Sequence, residues 1–141
     1  MNILLLKEKL LKLGEKIGLQ VQEEKKDSLI VHSTIVAKDY FANPFYCRLI
    51  VYDSGTMHLF LTFDEMDKTT DKLFLINGFN ETNPWFKAYI TDINDKNYLE
   101  LHYASYGLIN ESEVLSTFGF LLSALIEQPT LDYLKVLLAN E

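Results

Sequence analysis

The side chains best equipped for chemistry are few. The chain has one cysteine, Cys47, and three histidines, His32, His58 and His102. A thiol beside an imidazole is the minimum for nucleophilic catalysis, but a reactive thiolate needs a partly exposed, electropositive setting. Cys47 alternates in phase with Leu49 and Val51, which reads as a small core residue on a strand. Glu100 and His102 share one strand face, and His58 lies on another strand. With a third ligand they could bind zinc. No recognised ligand spacing accompanies them, so an exposed polar sheet face accounts for them equally well. Asp64, Glu65, Asp67 and Asp71 cluster without the glycine and ligand spacing of a calcium loop, and a solvated helix start is expected there. No Gly-rich phosphate loop and no G-x-S-x-G elbow occurs in the sequence. The expectation is a protein with no catalytic residue, no metal and no cofactor.

A second set of residues carries more weight collectively. Tyr46, Arg48, Tyr52, Phe60, Trp85, Tyr89 and Tyr98 are aromatic or basic residues at strand positions, opposite or beside the apolar phases. If helices cover one face of the sheet only, several of these are exposed, and an exposed aromatic face marks an interaction site. If a helix covers them, they are plain core. Alternation alone leaves open which face is covered.

The elements that must position these side chains are legible as periods. Ile3, Leu6, Leu10, Leu13 and Ile17 recur at helical spacing, with Leu4, Leu5 and Leu11 widening the stripe and Gly18 as the stop. The segments 29–36 and 45–52 read as strands, with 19–22 as a possible short strand before them. Asp53-Ser54-Gly55 is a hairpin turn, and Met57, Leu59, Leu61 and Phe63 share the face of the next strand. A helix is expected over 64–79, its acidic start suited to the helix dipole and Gly78 at its end. Residues 85–93 and 98–104 form a hairpin about Asn94-Asp95. Asn110 is the N-cap of the following helix, with Glu113 at N3 and Ile109 and Val114 placed as a hydrophobic staple. Pro129 breaks or kinks that helix. The order is α-βββ-α-ββ-α. It gives a single α+β domain over 1–141, with an antiparallel sheet of about five strands and helices packed on it.

Composition sets limits on partners. Of 141 residues 48% are hydrophobic, 13% aromatic and 23% charged, and the net charge is -7. Residues 1–26 carry six lysines against four glutamates, so the remaining body is the acidic part. An acidic body repels phosphate backbones, and Arg48 is the sole arginine, so nucleic acid is not expected as a partner. No apolar run approaches the ~20 residues of a membrane span. The N-terminal apolar run is too short for a signal peptide. One cysteine forbids an intrachain disulfide, which fits a reducing compartment. The cytoplasm is the expected location.

The segment FNETNPWFKAYI, followed by YLELHY and a capped apolar helix, resembles the YbjN-like proteins. The matching residues are Asn80 and Asn83 of an N-x-x-N turn, then Phe86, Lys87, Ala88 and Tyr89, with Leu99-Glu100-Leu101 on the next strand and Asn110 to Glu113 at the helix start. The resemblance covers residues 73–125; before that it rests on element order. It departs in the scarcity of arginine and in the length of chain past Pro129. Proteins of this kind are similar in fold to class I type III secretion chaperones. Those are small acidic cytoplasmic homodimers that hold an extended segment of another protein. Neither group brings a catalytic residue or cofactor.

The function expected is therefore a non-catalytic protein-binding module, chaperone-like or regulatory. It would act as a homodimer and use apolar contact and strand-edge pairing. The candidate contacts are Ile3, Leu6 and Leu10 of the N-terminal stripe and Tyr46, Arg48, Phe60, Trp85 and Tyr89 of the strands. Two alternatives stand beside it. One is a small-molecule binder or enzyme with a pocket near His58, Glu100 and His102. The other is a dedicated inhibitor of immunity type.

Overall fold

The computed structural model describes residues 1–139. Helix α1 (Ile3–Leu13) leads through a 3-10 turn (Glu15–Ile17) into four strands, β1 (Gln20–Glu24), β2 (Ser28–Ile35), β3 (Phe45–Tyr52) and β4 (Met57–Glu65). Helix α2 (Thr70–Thr82), the hairpin β5 (Lys87–Ile93) and β6 (Lys96–Ser105), and helices α3 (Glu111–Leu125) and α4 (Thr130–Leu138) complete it. The strands form one sheet in the order β1-β2-β3-β4-β6-β5, every neighbour antiparallel. The architecture is α+β, as the periods predict. There are six strands rather than about five, because the short segment after Gly18 pairs with β2 as β1. The last helical stretch is a pair bent by 60° across Pro129.

Period-two alternation divides the sheet. Leu29, Val31, Cys47, Leu49, Val51, Met57, Leu59, Leu61, Leu99 and Leu101 point to one face and are fully buried. All four helices pack on that face. Leu6 and Leu10 of α1, Phe79 of α2, Val114 and Phe118 of α3 and Leu134 of α4 join one continuous core with it. The opposite phase, including His32, Arg48, His58, Phe60 and Glu100, is half-buried and is absent from that core. No described element lies over it.

Several local expectations are corrected. Ile3, Leu6 and Leu10 are buried in the core, so these three are not available to a partner on the folded chain, whereas Leu4 and Leu5 of the same stripe are exposed. The helix stops at Leu13, which is 53% exposed, and Gly18 takes its left-handed conformation (φ 69°) at the end of the 3-10 turn.

Asp64 and Glu65 belong to β4, not to a helix start. Phe63 continues the strand's apolar phase, stacked on Phe45 at 4.9 Å, and the Met66 amide donates to the Asn97 carbonyl. Helix α2 begins five residues later, where the Thr69 hydroxyl accepts from the Lys72 amide at 3.2 Å. Thr69, a weak former of helix interiors, thus supplies its cap. Only Asp71 of the acidic cluster lies in the first turn.

Gly78 does not end α2. It sits inside the helix where a Cβ would lie 3.0 Å from the Tyr133 hydroxyl oxygen, so its smallness admits α4. The predicted staple at α3 is also open, since Val114 is buried while Ile109 is 77% exposed. The cap itself forms, with Asn110 Oδ1 accepting from the Glu113 amide at 3.1 Å.

Candidate functional site: the open face of the sheet

Backbone register brings the site together. Across four strand pairs, His32 lies opposite Arg48, Arg48 opposite Phe60, Phe60 opposite His102, and His102 opposite Lys87. The neighbouring row runs Thr34, Tyr46, Thr62, Glu100, Tyr89. Residues directly opposite have Cβ atoms about 4.5–5.5 Å apart, so each row is a contiguous band of side chains. Three of the predicted contact residues, Tyr46, Arg48 and Phe60, are thus neighbours on β3 and β4, and Tyr89 of β5 lies in the same band beyond Glu100.

The central row is stacked. The Arg48 guanidinium carbon lies 5.2 Å from the Phe60 ring centroid, within cation–π range. Phe60 stacks on His102 at 4.5 Å with 13° between planes, and His102 is nearly coplanar in tilt with His58, 8° apart. His58 Nδ1 and His102 Nε2 are 3.0 Å apart, so one ring donates its N–H and the other accepts. Burial first, then the His58 charge, push the His102 pKa down, with Glu100 opposing. At the far end His32 Nδ1 meets the Tyr46 hydroxyl at 2.7 Å.

In the next row Glu100 is gripped from both sides. Its Oε2 accepts from the Thr62 hydroxyl at 2.7 Å and its Oε1 from the Tyr89 hydroxyl. Burial, followed by the hydrogen bond to Glu100 and its charge, pushes the Tyr89 phenol well above its ordinary range, with Arg48 pulling the other way. Arg48 makes no hydrogen bond or ion pair among the described residues. Over the second row, and extending from Arg48 and Phe60 toward Tyr98, a depression of about 600 Å³ is lined by Tyr46, Arg48, Phe60, Thr62, Tyr98 and Glu100, among others.

Other candidates lie elsewhere. Trp85 is not on a strand: β5 starts two residues later, and the indole packs edge-on against Phe120 of α3 at 4.9 Å. It belongs to the helix-covered side, apart from Tyr89. Cys47 is buried, and burial pushes its thiol up to about 12. The three imidazoles face the other side of the sheet, so no thiol–imidazole pair forms. His58, Glu100 and His102 do share the open face. Glu100 turns to Tyr89 and Thr62 rather than to the imidazoles, and no cluster of three or more potential metal ligands occurs among the described residues. The sequence reading missed His32 as a member of the band; its alternation with Val31 and Ser33 is the signal that could have placed it.

The edges of the sheet differ too. On β1 the ladder shifts between Val21 and Glu23, and Lys7 bridges Glu24 at 2.9 Å. A bulge and charges of this kind discourage further pairing. On β5, the Asn80 side chain pairs with Ala88 as a strand would, accepting from its amide at 2.6 Å and donating to its carbonyl at 2.9 Å. Past that lock the outward backbone groups of Ile90 and Asp92 have no strand beside them. Asn83 closes the same joint. Its Oδ1 accepts from the Trp85 and Phe86 amides and its Nδ2 donates to Thr130.

No family model, curated protein or solved structure matches this chain. Among the described residues no single helix is long and apolar enough to cross a membrane. The bent pair α3 and α4 is apolar because Phe118, Leu121, Leu134 and Leu137 fill the core.

Proposed function

We propose that the protein is a non-catalytic binding module, chaperone-like or regulatory, that holds an extended segment of another protein against the open face of its sheet. The observation that carries this is the asymmetry of the sheet: one face is sealed by helices, while the other presents Tyr46, Arg48 and Phe60 side by side, and Tyr89 beyond Glu100, with no described element over them. Half-buried aromatics with an arginine are the composition of recognition surfaces. The reading includes a homodimer, for which the unpaired outer side of β5 and the exposed Leu73 and Phe74 of α2 are the proposed contact. It includes a YbjN-like relationship and a cytoplasmic location. The element order and the Asn80–Asn83 joint support the relationship.

The test compares the tagged protein with a Tyr46→Ala/Phe60→Ala double variant in capture from its native lysate. A single stoichiometric protein retained by the first and lost by the second supports the reading. Identical capture profiles, with both proteins equally folded by circular dichroism, count against it.

A second reading is favoured by the depression beside Arg48 and Glu100, which is large enough for a small ligand. Thermal stabilisation by a small metabolite, abolished by Arg48→Gln, would support that alternative.

A further inference from the structure

We propose that the segment held on the open face is acidic: one of its carboxylates pairs with Arg48, and a neighbouring large apolar side chain enters the depression between Tyr46, Phe60 and Tyr98. This rests on the protein-binding reading above and names the chemistry of the partner.

The charge layout points to it. The protein is net -7, yet the central row of the open face, His32, Arg48, Phe60, His102 and Lys87, contains no acid. The acids on that side lie off the row. Glu100 is one row over and receives the Tyr89 and Thr62 hydroxyls. Glu23 and Glu65 are placed by register at the rims, opposite Ile30 and Tyr98. Arg48 is half-buried against Phe60 and has no anionic partner among the described residues. A guanidinium presents donors in a planar fork that matches a carboxylate bidentately. Lys87 gives one N–H to the Asn80 carbonyl at 3.0 Å and keeps two for a second acid.

The dimensions suit an extended chain. From β2 to β5 the row crosses four strand spacings of about 4.8 Å, or roughly 19 Å, which about six extended residues span. Side chains two apart in such a segment face the same way at about 6.6 Å spacing. A carboxylate on Arg48 and an apolar group in the adjoining depression therefore fit alternate positions of one strand.

The experiment measures binding of two labelled peptides by fluorescence anisotropy. One alternates phenylalanine and glutamate with serine spacers; the other has glutamine for glutamate. The full chain and its Arg48→Gln and Arg48→Lys variants are compared after confirming equal folding. The expected result is about tenfold tighter binding of the acidic peptide, a preference that shrinks with added salt. Arg48→Gln abolishes that preference and Arg48→Lys keeps part of it. Equal affinity for the two peptides would overturn the acidic specificity and leave an extended-segment site standing. Binding of neither peptide would also overturn it, while capture by Tyr46 and Phe60 from lysate would still decide the broader reading. Sedimentation showing that Arg48→Gln dissolves a dimer would assign the face to a second copy instead. Equal competition by free N-acetylphenylalanine would assign it to small carboxylates.

Discussion

The two faces of the sheet are built from the same strands and obey opposite rules. On the helix side, the positions from Leu29 to Leu101 named above are apolar and fully buried, and they share one core with residues of α1, α2, α3 and α4. On the open side, the two central rows carry polar atoms or rings, which bond to and stack on cross-strand neighbours. The first face stores stability through area removed from water. The second gains little from burial and instead organises hydrogen bonds and stacked planes ahead of any partner. Strand alternation lets one chain specialise both surfaces without compromise, since a residue facing one side constrains the other hardly at all.

That contrast is breakable by mutation. The largest effect is expected in the sealed core. Phe86→Ala, at a position fully buried beneath α2 and the joint, should cost about 3–5 kcal/mol by urea unfolding. Asn83→Ala should follow at about 1–3 kcal/mol, because it orphans the Trp85 and Phe86 amides and the Thr130 hydroxyl. Tyr46→Ala, on the open face, should cost about 1 kcal/mol or less while weakening partner capture. Equal losses of stability for Phe86→Ala and Tyr46→Ala would erase the distinction between the faces.

The smallest effect is a pH dependence confined to the open face. The His102 pKa is lowered in the folded chain, by burial and then by His58, so the unfolded chain binds the proton more readily. Stability is full above the unfolded value of about 6.5 and falls as pH drops from there toward the folded value. His102→Phe should flatten the melting temperature across that window, and His58→Phe should flatten it partly by removing the second cause. A wild-type melting temperature that rises on acidification through the same window would contradict the geometry of the pair.

How much of this was legible in residue types follows a physical line. Properties with a short period were readable. The α+β class, the antiparallel strands, the Asn110 cap and the apolar phase of Cys47 depend on neighbours two to four residues away. Properties set by two distant segments were not. The burial of Leu6 and Leu10, the displacement of Trp85 to the α3 side and the passage of α2 through Gly78 depend on which helix lies where. The acidic residues 64–67 misled because carboxylates favour a helix start in isolation, whereas the Phe63 stack on Phe45 holds the strand for two residues more.

By itself, the sequence determined that one face of β3 and β4 is apolar and that the other carries aromatics, the arginine and a histidine. Only the tertiary structure decided which face the helices cover and which side chains become neighbours. Register across the crossover is a long-range property: the β3–β4 hairpin alone sets Arg48 opposite Phe60, but Phe60 meets His102 only because β6 pairs with β4 after α2 has crossed over. The band of residues on the open face exists in the sheet and in no segment of the chain.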